Sequence, residues 1–455
     1  MAKPWHDMTA LELGHLIEKG SIDPIDLAQY FLGRIKTADP QSKIYVRLTE
    51  ERALGEARAA ARRAKQGVRL SPLDGVPISW KDLFDTAGVA TEAGTKLLEG
   101  RTPETDAACL ARATRAGLVC LGKTSMPDVA FSGLGINPWT GITPNPYDTE
   151  TERVAGGSST GAALSVAEGL APAAIGSDTA GSVRIPSAWC NLTGFKPTFG
   201  RISLQGAVPL SYTQDSVGPL TRDVADAAIL YSILSGTPAV DLKGVSLKGV
   251  RILRATSQFD EVSDPAITAQ IRKGLALLKA AGAEVIDGPA PALDEMAALS
   301  AKFGTPASIE ACMMYRDLIR EKPGDMYGPI AERILAAEKF SGTDIAALYR
   351  GMEKLTRAYL EQTAGFDLVA GPTEPQHPPA IAPLLNDPAH IGRTMVMPIL
   401  LTRFANLLRL CAISLPCGRD QGLPVGLMLM APAHSEGKLL RLAAAAEQAL
   451  APLNV

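Results

Sequence analysis

Histidine is scarce in this 455-residue sequence: five residues, at positions 6, 15, 377, 390 and 434, none beside its densest run of small residues. A serine nucleophile in that run would need another base, unless His377 folds back towards it. There is no HExxH, no GxGxxG after a strand and no GxxxxGK[ST], so the zincin, dinucleotide and P-loop motifs are missing. GxSxG is missing too, which leaves a nucleophile elbow of the α/β-hydrolase type unsupported. The six cysteines, at 109, 120, 190, 312, 411 and 417, show no CxxC spacing and sit mostly among apolar neighbours. They read as free buried thiols in a reducing compartment, not as a disulfide framework.

Excess charge is lacking as well. Lys and Arg number 45 against 48 Asp and Glu, a net charge of -3, which gives no global attraction for nucleic acid or anionic lipid. The basic cluster at 58–67 lies among helix-forming alanines and reads as one solvated helix face. No apolar run reaches membrane-spanning length; the longest candidate, "GAALSVAEGLAPAAIG", is broken by Glu168 and Pro172. The start "MAKPWHDMT" has no basic-then-apolar pattern of a signal peptide. The expectation is a cytoplasmic protein with no membrane or nucleic-acid partner; a homodimer is left open.

What is present is strand–helix alternation. Residues 1–67 read as helices: Thr9 and Glu12 have capping-box spacing, Gly20 is a stop, and Asp23 followed by Pro24 opens a second helix. From there short apolar runs such as 76–80 and "LVCLG" alternate with helical segments, with glycine at the junctions. This pattern argues for an α/β fold, in which sites gather at loops off the strand ends, where Lys81 and Ser182 fall. Residues of about 290–365 look mostly helical, after which strands resume. The whole chain, 1–455, therefore reads as one large domain with an inserted helical region.

Residues 155–186, "AGGSSTGAALSVAEGLAPAAIGSDTAGSVRIP", contain one serine-bearing turn before a helix and a second after a strand. Taken alone, they are two tight turns or a backbone cradle for an oxyanion or phosphate. A phosphate site would normally bring a P-loop-type lysine, and this segment has none.

The segments "DGVPISWKD" (74–82), "GGSSTG" (156–161), "SDTAGSVRIP" (177–186), "GFKPTFGRIS" (194–203) and "SLPCGRDQGLPVGLMLMAP" (414–432) together resemble the amidase signature family. The likeness runs from about residue 8 to the C-terminus and is weakest over 290–365. It implies a large mixed central sheet flanked by helices on both faces and a Ser-cisSer-Lys amidohydrolase without metal or cofactor. In that family's pattern Ser182 matches the nucleophile and Lys81 the base. Ser158 matches the bridging serine, with a cis peptide between Gly157 and Ser158. The N–H groups of Thr179, Ala180, Gly181 and Ser182 match the oxyanion hole. Phe131 and Ser159 match positions near the substrate pocket, although Phe131 reads equally well as a core aromatic. Asp178 and Arg184 read as a buried ion pair or loop brace, and Lys196 as structural.

Thr160 and Ala180 depart from the family's usual glycines, and a positive φ at Ala180 would strain the cradle. The resemblance implies cleavage of a small carboxylic amide to the acid and ammonia or amine through a seryl acyl-enzyme. The alternatives are the glutamine-hydrolysing A subunit of a tRNA-dependent amidotransferase and a non-catalytic binding homologue. Against the first of these stand Ile185, where that protein usually has Gln, and the lack of its tyrosine-rich late segment. The complete Ser182–Ser158–Lys81 set stands against the binding homologue. No cluster of basic residues in the sequence marks a site for an acidic acyl group, and "FDLVAGPTEPQHPPAI" is read as one pocket wall.

Overall fold

The computed structural model describes residues 3–148 and 150–454, apart from the side chains of Pro388 and Ala389. Its strands are β1 (Tyr45–Leu48), β2 (Pro77–Lys81), β3 (Val119–Thr124), β4 (Ala173–Asp178), β5 (Thr193–Lys196) and β6 (Ser216–Thr221), then β7 (Arg251–Ala255), β8 (Glu284–Gly288), β9 (Leu368–Pro372), β10 (Cys411–Asp420) and β11 (Leu423–Ala431). All eleven join in one sheet, ordered β1-β3-β2-β4-β6-β5-β10-β11-β9-β7-β8. It is mixed: β2 runs parallel to both β3 and β4, whereas β4, β6, β5, β10, β11 and β9 pair antiparallel in succession. The α/β class and the large mixed sheet implied by the resemblance are what the chain adopts.

Local chemistry explains the elements that were legible. Thr9 Oγ1 accepts from Glu12 N–H and the Glu12 carboxylate accepts from Thr9 N–H, a complete capping box; Asp23 accepts from Ile25 N–H ahead of the second helix. β2, β3 and β4 are buried at every residue, as strands covered on both faces must be, which is why they read as continuous apolar or small runs.

Three strands carry no strand signal in the sequence. β1 is four residues at the sheet edge. β5 carries Gly194, and β6 carries Gly218 and Pro219, residues depleted from strands. Two short strands without apolar alternation thus form the middle of the sheet.

Residues 290–365 are mostly helical: Pro291–Phe303, Pro306–Glu321, Gly328–Leu335 and Gly342–Thr363. Helices 291–303 and 342–363 contribute to a second apolar core with β7, β9 and Phe404. Among the described residues no helix is long and apolar enough to cross a membrane.

Candidate active site

Because β2 and β4 are parallel neighbours, paired at Ser79–Ala174 and Trp80–Ile175, their C-terminal ends emerge side by side. Lys81 ends β2, and Ser177 and Asp178 end β4. The Gly157–Ser158 peptide is cis, and Ser158 and Ser159 lie at the same spot, just before helix Thr160–Ala167. Lys81 Nζ lies 2.7 Å from Ser158 Oγ, 2.9 Å from Ser177 Oγ and 3.2 Å from Ser159 Oγ.

Lys81 is fully buried. Burial pushes its ammonium down to about 7, against the opposing charges of Asp215 and Asp178. Asp82 does not add to them, since it turns away to Lys123 at 3.3 Å and Arg47 at 3.6 Å.

The three hydroxyls around Nζ are not equivalent. An ammonium donates three hydrogen bonds, but a neutral amine donates two and must accept one. Ser159 Oγ already donates to Ser177 O at 3.2 Å, and so takes a hydrogen from Lys81. Ser158 is the close hydroxyl able to give its proton to the amine lone pair. Ser177, the first residue of the 177–186 segment and one given no role there, completes the cage.

Ser182 sits at the end of the turn after β4, is 5 % exposed and lines a pocket; among the described residues its Oγ has no hydrogen-bond partner. The turn is held from beneath. Asp178 accepts from Gly181 N–H at 2.9 Å and Val183 N–H at 3.2 Å, and pairs with Arg184. Asn406 Nδ2 also donates to Asp178 Oδ1, at 2.9 Å. Asp178 and Arg184 therefore brace the loop.

The four-donor cradle needs one correction. Gly181 N–H is occupied by Asp178, whereas the N–H groups of Thr179, Ala180 and Ser182 have no partner among the described residues. The positive φ of this turn, +131°, falls on Gly181, where a Cβ would sit 2.1 Å from Thr402 Oγ1. Ala180 has no positive φ, so alanine is unstrained there.

Phe131 lines the pocket with Ser182, as expected. Ser159 does not line it; it is buried, with Oγ 3.2 Å from both Lys81 Nζ and Ser177 O. His377 does not fold back, because its Nε2 is 2.8 Å from Asp420 at the end of β10. Two arginines, Arg333 and Arg403, also line the pocket. They overturn the expectation of no basic cluster. Seventy residues separate them in the chain, so only folding makes them a pair.

A family model described as Amidase matches residues 26–440. The A subunit of glutamyl-tRNA(Gln) amidotransferase from Chloroflexus aggregans is 32% identical over 474 residues, covering 96% of this chain and 95% of its own. A crystal structure of an amidase superposes with a TM-score of 0.87 at 31% identity, over 97% of this chain and 100% of that one. The crystal structure of the corresponding amidotransferase protein from Thermotoga maritima superposes with a TM-score of 0.79 at 26% identity, over 98% and 96%.

Proposed function

The chain belongs to the amidase signature family, and from that premise we propose that it hydrolyses a carboxylic amide through an acyl-enzyme on Ser182. The observation that carries the proposal is the 2.7 Å contact between Lys81 Nζ and Ser158 Oγ, made by a lysine whose burial favours the neutral amine. A serine hydroxyl is a weak nucleophile until a base takes its proton. Once the Ser182 hydroxyl, unpartnered among the described residues, turns to Ser158, its proton passes to Ser158 as the Ser158 proton passes to Lys81, and Ser182 Oγ adds to the substrate carbonyl. The unpartnered N–H groups of Thr179, Ala180 and Ser182 receive the developing oxyanion. The relay then runs backwards: Lys81 returns a proton through Ser158 to the leaving nitrogen, the C–N bond breaks, and ammonia or an amine departs. Water, deprotonated by the same relay, cleaves the ester to release the acid and free Ser182.

A second reading has support of its own. The C. aggregans and T. maritima relatives bear the name of the glutamyl-tRNA(Gln) amidotransferase, and these names favour a glutamine-hydrolysing component of a larger assembly over a free amidase. Both readings share the chemistry at Ser182 and differ in substrate and assembly. Ammonia release from a panel of small amides and from glutamine separates them, measured alone and with a candidate B-type partner. Turnover of simple amides by the isolated chain supports the amidase. Strict dependence on glutamine and a partner supports the amidotransferase, and no release under any condition refutes both.

A further inference from the structure

The pocket beside Ser182 contains an unbalanced charge. Arg333 comes from the last turn of helix Gly328–Leu335 and Arg403 from the segment after Thr402, and both line the pocket with Ser182 and Phe131. Neither makes an ion pair or a hydrogen bond to another described residue; Arg333 lies over the Phe131 ring at 4.7 Å and Arg403 over the Phe404 ring at 5.7 Å. Arg403 Nε is buried without a partner among the described residues. Burial and the charge of Arg403 push the Arg333 guanidinium down to about 10, with no carboxylate contributing in the other direction.

Two half-buried guanidiniums that line one pocket, with no anionic partner among the described residues, repel each other. Such an arrangement is unfavourable in the empty protein and is relieved by an anion between them. Guanidinium forks suit a carboxylate, which accepts two parallel N–H bonds from each. Among the described residues no acidic side chain lines the pocket, so nothing there would pair with an ammonium group on a ligand.

We propose that the substrate is the monoamide of a short dicarboxylic acid, its free carboxylate held between Arg333 and Arg403 while its amide carbonyl meets Ser182. This rests on the amide-hydrolysis reading and deepens it. It also separates the chain from an enzyme for a free α-amino acid such as glutamine, whose ammonium would have no counter-charge. The neutral diamide of the same acid has the same shape but leaves both guanidiniums unpaired, so the site rejects it. A site built to pair a polar group commonly discriminates against the analogue lacking it by about 10⁴ or more. In this open pocket we expect roughly a hundredfold or more.

The test compares malonamate, succinamate and glutaramate with malonamide, succinamide and glutaramide. Wild-type kcat/KM should favour the charged member of at least one pair by about a hundredfold or more. Arg333→Gln and Arg403→Gln should each lower that ratio by roughly tenfold or more, with Arg333→Lys intermediate because it keeps charge without the fork. Thermal unfolding of each variant confirms that it is folded. Calorimetry on the Ser182→Ala protein gives a readout independent of turnover. Binding of a charged monoamide and not its diamide supports the anion site even if no amide is hydrolysed, and in that case the hydrolysis reading alone fails. Diamides bound or turned over as well as monoamides, or an unchanged ratio in the arginine variants, overturns the proposal.

Discussion

Asp178 and Arg184, both fully buried, meet as a two-pronged ion pair, with Arg184 Nη2 2.9 Å from Asp178 Oδ1 and Nε 3.0 Å from Oδ2. They bracket Ser182 in sequence, and Asp178 also takes the N–H groups of Gly181 and Val183, so the pair sets the shape of the turn. Against the effect of burial, the Arg184 guanidinium holds the Asp178 carboxyl down at about 2, so the carboxylate stays ionised at any working pH. Removing one partner of a buried pair leaves the other uncompensated, at a cost of about 3–5 kcal/mol. Arg184→Ala should lose that much stability in urea unfolding and lose turnover with it. Arg184→Lys should remain impaired, because an ammonium cannot span both carboxylate oxygens and reach Thr402 O and Asn406 as Arg184 does. A stable, active Arg184→Ala protein would contradict this role.

The pH dependence of turnover follows from Lys81. Only the unprotonated amine accepts a proton, so kcat/KM should rise with pH through about 7 and level off above it. Asp215 faces Lys81 with a charge that holds the proton on, while its own carboxyl, pushed up by burial to about 6, accepts from Thr179 Oγ1 at 2.6 Å. Asp215→Asn removes that charge and should move the rising limb to lower pH. A shift to higher pH would contradict the sign. Lys81→Arg, which stays protonated, should have almost no turnover while remaining folded.

Ser177 tests the cage around the amine. Its Oγ, 2.9 Å from Lys81 Nζ, fixes the direction in which the lone pair points. A neutral hydrogen bond of this kind is worth about 0.5–1.5 kcal/mol net, so Ser177→Ala should lower kcat by roughly two- to tenfold. KM should stay near the wild-type value, since Ser177 does not line the pocket. An increase in KM at constant kcat would place Ser177 among the substrate contacts instead.

The proposed catalytic set is legible because its residues lie in short segments whose local chemistry is unusual. Lys81 ends an apolar strand, and two serine-bearing turns flank one helix of small residues. Ser177 stood in the same segment, but nothing local distinguishes a serine facing a lysine from one facing the sheet. That distinction depends on β2 lying beside β4. The engagement of Gly181 N–H was hidden for a similar reason, because it depends on the direction in which the Asp178 carboxylate turns. β5 and β6 were missed because burial between neighbouring strands lets glycine and proline stand where propensity alone would forbid them. The arginine pair was the least legible feature. Arg333 and Arg403 sit in separate segments with no local signal, and only tertiary packing brings them to one pocket.

The central claim is that Ser182 carries the acyl group. A fluorophosphonate, or a slow acyl substrate trapped by acid quench, should add its mass to the wild-type protein at one site per chain. Peptide mapping should place the adduct on Ser182, with none in Ser182→Ala and little in Lys81→Arg. An adduct on Ser158 or Ser159, in a Ser182→Ala protein that still turns over amides, would contradict the account.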